Sequence, residues 1–198
     1  MSKYPVNMRE MISENIRKSI YKAGLELIQE EGWSSFKTEN IAARVGVSRS
    51  VLYNYFKNKE DIARCIIETS MNEFTQKMEK LVKAPGTVES RLREMAKIMV
   101  EDFLSHRKLY GFFVENIQVS TSQKKKVSFF SWRDRRNEIF VNILNEGALS
   151  GEFVCDSIEA SALLLMGGLH ELCIKSLFTN CEFSVDSVID VFLKGVKK

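Results

Sequence analysis

Proline is nearly absent from this chain. It has two in 198 residues, Pro5 and Pro85. Proline breaks a helix interior, so long helices are permitted almost throughout. The ten glycines are also few, and most fall where a helix should stop. The four cysteines, Cys65, Cys155, Cys173 and Cys181, form no C-x-x-C pair, which argues against a structural zinc site. They read as reduced thiols in or near helix cores, with Cys173 and Cys181 left as a redox-sensing alternative. Two histidines, His106 and His170, are too few and too scattered for a metal centre, so no metal and no cofactor are expected. No segment reaches the roughly 18 consecutive apolar residues of a membrane span, and no apolar stretch near the N-terminus resembles a signal peptide. The expectation is a cytoplasmic protein with no membrane partner. There is no phosphate-binding G-x-x-x-x-G-K-[ST] loop, no H-E-x-x-H, and no recognisable Ser-His-Asp or Cys-His signature. An enzyme is therefore not expected.

What the chain does contain is a dense motif from Thr38 to Asp61: T-E-N-I-A-A-R-V-G-V-S-R-S-V-L-Y-N-Y-F-K-N-K-E-D. Thr38 can N-cap a short helix with its hydroxyl. Ile41, Ala42 and Val45 then share one face. Gly46 can end that helix in a left-handed conformation, Val47 can plug the corner, and Ser48 can cap the next helix. Val51, Leu52 and Tyr55 or Phe56 supply the second helix's buried side. Two short helices joined by a glycine turn describe a helix-turn-helix, whose second helix enters the DNA major groove.

The chemistry on that second helix suits DNA. Arg49 can pair bidentately with guanine O6 and N7, Ser50 can bond several bases, and Val51 can touch a thymine methyl. Tyr53 and Tyr55 carry hydroxyls for phosphate oxygens, and Lys57 and Lys59 add charge before the next helix. The net charge of +3 is placed accordingly. Residues 1–64 carry 11 Lys+Arg and 8 Asp+Glu, while residues 65–198 carry 18 of each. The excess thus lies with the motif, as an electrostatic footprint on DNA requires.

The pattern T-x-x-I-A-x-x-V-G-V-S-x-S-x-L-Y-x-Y-F-x-N-K-E closely resembles the signature of TetR/AcrR-family transcriptional regulators. It matches at Thr38, Ile41, Ala42, Val45, Gly46, Val47, Ser48, Leu52, Tyr53, Tyr55, Phe56, Lys59 and Glu60. The resemblance covers the stretch from Ile12 to Ile67 and rests on architecture beyond it. It implies phosphate-binding roles for Thr38, Tyr53, Tyr55 and Lys59. It implies base reading by Arg49, Ser50, Val51 and Asn54, and Ser48 joins the DNA-binding set. Glu39 stands where some members carry a basic base-contacting residue. Its carboxylate would be repelled by phosphate but could accept from cytosine N4.

The remaining pattern is helical. A first helix is expected over Ser13–Glu31, with Gly32 as its stop and Trp33 and Phe36 packing the corner. A long strut is expected over Lys59–Lys83, with Asn58 and Asp61 in capping-box positions. Pro85-Gly86 ends it. Further helices are expected from Thr87 to Ser105, Leu109 to Val119 and Val127 to Glu146. The polar stretch S-T-S-Q-K-K-K reads as a loop, and Gly147 and Gly151 as helix ends. Asp156 and Glu159 form a capping pattern for a helix that is apolar nearly all round, and a last helix runs from Ser184 to Val196.

The expected fold is all-α, of about nine helices at this periodicity. A three-helix DNA-binding head, residues 1–58, joins a helical effector-binding and dimerisation body, residues 59–198. The resemblance implies a homodimer through the last two helices, a double-stranded, near-palindromic DNA operator, and a small-molecule effector that releases it. Phe103, His106, Tyr110, Phe113, Phe129, Trp132 and Met166 are candidate pocket lining, although aromatic residues at helical spacing also build ordinary cores. A protein–protein adaptor is the alternative, but such a surface is usually more apolar at its centre than Arg49, Tyr53, Tyr55 and Lys59.

Overall fold

The structure is a computed structural model. It describes residues 6–111, 123–179 and 184–196, with side chains at 11–111, 134–179 and 184–196. The described residues form helices α1 (Val6–Glu31), α2 (Thr38–Val45), α3 (Arg49–Tyr55), α4 (Lys59–Val82), α5 (Val88–Ser105), α6 (Gln123–Ser150), α7 (Ile158–Phe178) and α8 (Val185–Val196). A 3-10 turn covers Trp33–Ser35, and residues 107–111 are again helical. No strand occurs among the described residues, so the fold is all-α as expected.

These helices build two compact units. One comprises residues 6–72 and 108–111; the other comprises 73–107, 123–179 and 184–196. The division falls inside α4, after Asn72, and not at its start. The reason is packing. Ile62, Ala63 and Ile66 on the first half of α4 are buried with Ile20, Leu27, Ile28, Phe36, Ile41 and Leu52. Phe74 and Met78 on its second half are buried with Leu92, Met95, Phe140, Ile143, Leu165 and Ile189.

In the first unit, α1 is already helical at Val6, ahead of the Ser13 start that the periodicity predicts. Gly32 stops it with φ 84°, and the Trp33 and Phe36 rings then stack at 4.5 Å. Thr38 does not cap α2. The N-cap is Lys37, without a side-chain bond, and Thr38 is the first helical residue, 5% exposed. At the start of α4 the Asn58 side chain accepts from Asp61 N–H at 2.8 Å. The return bond of the expected capping box goes elsewhere: the Asp61 carboxylate accepts from Lys57 N–H at 3.0 Å.

In the second unit, Thr87 caps α5 by accepting from Ser90 N–H at 3.1 Å. The first N–H groups of that helix also reach a distant acid. The Glu152 carboxylate accepts from Val88 N–H at 3.1 Å and Glu89 N–H at 3.3 Å. Such bonds satisfy donors that a helix start leaves free. Arg91, buried on α5, donates to the Val82 carbonyl and to both oxygens of Glu146, tying α4, α5 and α6 together. Arg93 bonds Asp190 at 2.6 Å and Glu89 at 3.0 Å, which fastens α8 to α5.

Three expectations need correction here. Gln123 to Lys126 belong to α6, so the lysine run is helical and not a loop, while Ser120 to Ser122 of that stretch lie outside the described residues. Gly147 lies inside α6 and is buried. Only Gly151 ends that helix, with φ 78°. Helix α7 is capped by Ser157, which accepts from Ala160 N–H at 3.2 Å, so the cap is one residue beyond Asp156. Glu159 sits in its first turn. Helix α7 is also long and apolar enough to cross a membrane by length and composition. In this fold its inner face, Ala162, Leu165, Met166 and Leu169, is part of the second core.

Candidate nucleic-acid interface

The helix-turn-helix forms at the expected corner. The Gly46 conformation is left-handed (φ 75°), which costs a residue without Cβ nothing. Val47 N–H closes the turn on the Ala42 carbonyl at 3.0 Å. Ser48 caps α3 by accepting from Val51 N–H, and its hydroxyl lies 2.7 Å from that of Ser50. Leu52 is fully buried and Phe56 nearly so, which anchors α3 through its inner face.

Anchoring one face presents the other. Ser48, Arg49, Ser50, Tyr53 and Asn54 are exposed, and Val51 and Tyr55 are half-buried. Thr38 is buried but not isolated: the Tyr53 hydroxyl donates to it at 3.5 Å. Lys59 stands at the start of α4 with its ammonium 4.7 Å from the centre of the Trp33 ring and 5.7 Å from that of Phe36. Cation–π attraction thus holds the lysine head against the corner that α1 makes with α2.

Two features escaped the sequence reading. Arg49 on α3 forms an ion pair with Glu39 on α2 at 2.8 Å. The other Glu39 oxygen accepts from the Thr38 hydroxyl at 3.2 Å. Thr38, Glu39, Arg49 and Tyr53 are therefore one connected polar group. The Tyr53 phenol is held below its usual pKa by hydrogen bonds with Thr38 and Arg49. The Glu39 carboxyl is held below the ordinary value by its own backbone N–H and then by Arg49. The second feature is Arg17 on α1, which donates to the Tyr55 carbonyl at 3.1 Å and lies over the Phe56 ring. It fastens the end of α3. Glu39 was legible as an odd acid in a basic motif, but nothing local to Arg17 signals a contact 38 residues away.

The candidate pocket residues are spread over the fold. Phe103 and Met166 are buried in the second unit, and Tyr110 is buried in the first. His106 is the C-cap of α5, its ring nitrogen Nδ1 2.9 Å from the Asp102 carbonyl oxygen. Phe113 lies outside the described residues, and so do the side chains of Phe129 and Trp132, although both belong to α6. A separate open groove of about 860 Å³ runs between α7 and α8, lined by Val154, Ala160, Leu164, Val188, Val191 and Phe192 among others. Cys173 is buried, and burial pushes its thiol up to about 11, which leaves almost no reactive thiolate at neutral pH. That argues against Cys173 as a redox sensor; Cys181 is outside the described residues.

A capped recognition helix with exposed arginine, serine and tyrosine on an all-helical scaffold defines a helix-turn-helix DNA-binding protein. The comparisons with known proteins give the family. Residues 20–65 match the model of bacterial regulatory proteins of the tetR family, and residues 70–198 match that of the QacR-like protein C-terminal region. The chain belongs to the TetR family of transcriptional regulators, which are not enzymes. It is 26% identical over 189 residues to the fatty acid metabolism regulator protein of Bacillus subtilis, covering 89% of this chain and 93% of that one. It is 22% identical over 163 residues to the transcriptional repressor NicS of Pseudomonas putida, covering 82% and 77%. Among solved structures, a putative TetR-family regulator from Mesorhizobium loti superposes with a TM-score of 0.79 at 16% identity, covering 94% of this chain and 98% of that one. The regulator FadR from Bacillus subtilis, solved in complex with stearoyl-CoA, superposes with 0.72 at 22% identity, covering 90% and 98%.

Proposed function

We propose that this chain is a homodimeric repressor that holds a near-palindromic operator and is released from it by a small apolar effector. The observation that carries the reading is the solvent-facing first turn of α3, where Arg49 is 55% exposed on a helix locked from behind by Leu52 and Phe56. Base edges are reached by the N-terminal residues of a recognition helix. Arg49, Ser50, Val51 and Asn54 read sequence in this account. Ser48, Tyr53, Tyr55 and Lys59 set register on the phosphates, and Thr38, buried behind them and bonded by Tyr53, positions that ring in place of the expected phosphate contact. The proposed functional division, residues 1–58 and 59–198, is set at the start of α4. The regulator acts in the cytoplasm.

The second copy docks on α7 and α8. Leu163, Leu164 and Val191 are 60%, 74% and 72% exposed there, an apolar face that a lone chain leaves in water. Two recognition helices then meet successive major grooves about one turn of DNA apart. The effector acts by population shift, binding the DNA-incompetent state more tightly. Phe103, His106 and Met166, all in the second unit, remain its candidate lining. The Bacillus subtilis relatives, a fatty acid metabolism regulator and a structure holding stearoyl-CoA, support a long acyl chain as the apolar part of the effector, with its coenzyme A thioester as the first molecule to test.

Fluorescence-anisotropy titration against DNA flanking the chain's own gene, at several salt concentrations and with unlabelled competitor, tests this. Competitor-resistant binding with a steep salt slope, relieved by stearoyl-CoA, is expected. Equal, weak binding to all duplexes would overturn the reading.

A further inference from the structure

We propose that Glu39 is a specificity-determining residue, and that the Glu39–Arg49 pair reads guanine and cytosine in the operator as a single unit. The inference rests on the DNA-binding reading above. Glu39 presents a conflict of charge. A carboxylate on the DNA-facing side of a basic motif is repelled by every phosphate. Glu39 is nonetheless built in. One of its oxygens meets Arg49 at 2.8 Å, and the other accepts from Thr38 at 3.2 Å. Thr38 is buried and is bonded in turn by Tyr53. The acid is therefore oriented by a side chain with little freedom, while 52% of it stays in solvent.

This pair has a consequence for each kind of DNA. On a random duplex, Glu39 offsets the charge of Arg49 and sets a carboxylate near the phosphate backbone. That repulsion costs free energy, so sequence-independent binding is suppressed. A site with guanine beside cytosine in the major groove removes the conflict. Guanine O6 and N7 are acceptors for the guanidinium, and cytosine N4 is a donor for the carboxylate. The two side-chain heads form an adjacent donor and acceptor, the complement of that pattern. A repulsive element that only the cognate partner relieves is how specificity exceeds affinity.

The test uses the full-length chain and its Glu39→Ala and Glu39→Gln variants. Each is put through selection on a randomised double-stranded DNA pool, followed by anisotropy titrations on the selected duplex and on a random-sequence duplex. Because Glu39 is half exposed, the variants should keep the wild-type circular dichroism and melting curve. The wild type should enrich guanine and cytosine at neighbouring positions. Glu39→Ala should keep the guanine, lose the cytosine preference roughly fivefold or more, and bind the random duplex more tightly with a salt slope steeper by about 0.9. Glu39→Gln keeps an acceptor without the charge, so random-duplex binding should rise while part of the cytosine preference survives. An unchanged selected sequence and unchanged random-duplex affinity in Glu39→Ala would overturn this proposal alone. Failure of the wild type to enrich any sequence would overturn the DNA-binding reading and this proposal together.

Discussion

The Phe153 ring occupies the space that a β-carbon at Gly147 would need. Phe153 N–H also bonds the Gly147 carbonyl at 3.0 Å, once Gly151 has turned the chain back. The ring is 3% exposed and belongs to the second core. A β-carbon at 147 would overlap it, and the ring is too large to step aside. Gly147→Ala should therefore destabilise the protein by about 1–3 kcal/mol through overpacking, read as a lower urea midpoint. Its effect should shrink in a Phe153→Leu background. Equal losses in both backgrounds would count against the contact.

Arg49 and Lys59 should fail in different ways. Arg49→Ala should cost about 1–3 kcal/mol of operator binding and relax one base pair. Lys59→Ala should weaken binding to all sequences alike and reduce the salt slope by about 1. Its lost contact with the Trp33 ring should cost stability only about 0.5–1 kcal/mol. Competition titrations with single-base operator variants separate the two. A base-specific defect in Lys59→Ala would contradict the phosphate assignment.

Arg91 predicts a pH signature. It holds the Glu146 carboxyl below the ordinary value of 4.5. A depressed folded-state pKa contributes stability above the unfolded value, and that contribution is lost as pH falls through the folded one. Arg91→Met removes the pairing but fills the space, so it should be less stable than the wild type at pH 7. The gap should narrow as the pH falls below 4.5. Glu146 is about half exposed, so its share of the gap is a small part of the whole. Parallel curves from pH 7 to pH 3 in denaturant titrations would show that the pair carries none of it.

Leu164 tests assembly apart from folding. It is 74% exposed, whereas its neighbour Leu165 is 2% exposed in the core. Leu164→Glu should leave the circular dichroism spectrum unchanged and convert the sedimenting species from dimer to monomer. Operator affinity should then fall, because half-sites are bound one at a time. A dimer that persists with full affinity would place the interface elsewhere.

Local chemistry determined much of this protein. Gly46, Ser48 and the spacing of Ile41, Ala42, Val45 and Leu52 specify a helix-turn-helix through bonds and contacts only a few residues long. Arg49 follows as its leading residue because helix geometry alone puts it on the first turn. The scarcity of proline and the periodic apolar residues likewise made the all-helical class legible. Some local cues do not decide the local structure. Gly147 reads as a helix stop, yet its missing side chain serves the Phe153 ring. Thr38 reads as a cap, yet it is buried and bonded by Tyr53. The Lys124–Lys126 run reads as a loop, yet charge density alone does not unwind a helix. Only the tertiary structure decided that Glu39 faces Arg49, that Arg17 fastens Tyr55, and that α4 is shared between two cores. Those relationships join residues that sequence spacing leaves independent. Packing brings them within a few ångströms, where charge and shape begin to act on one another.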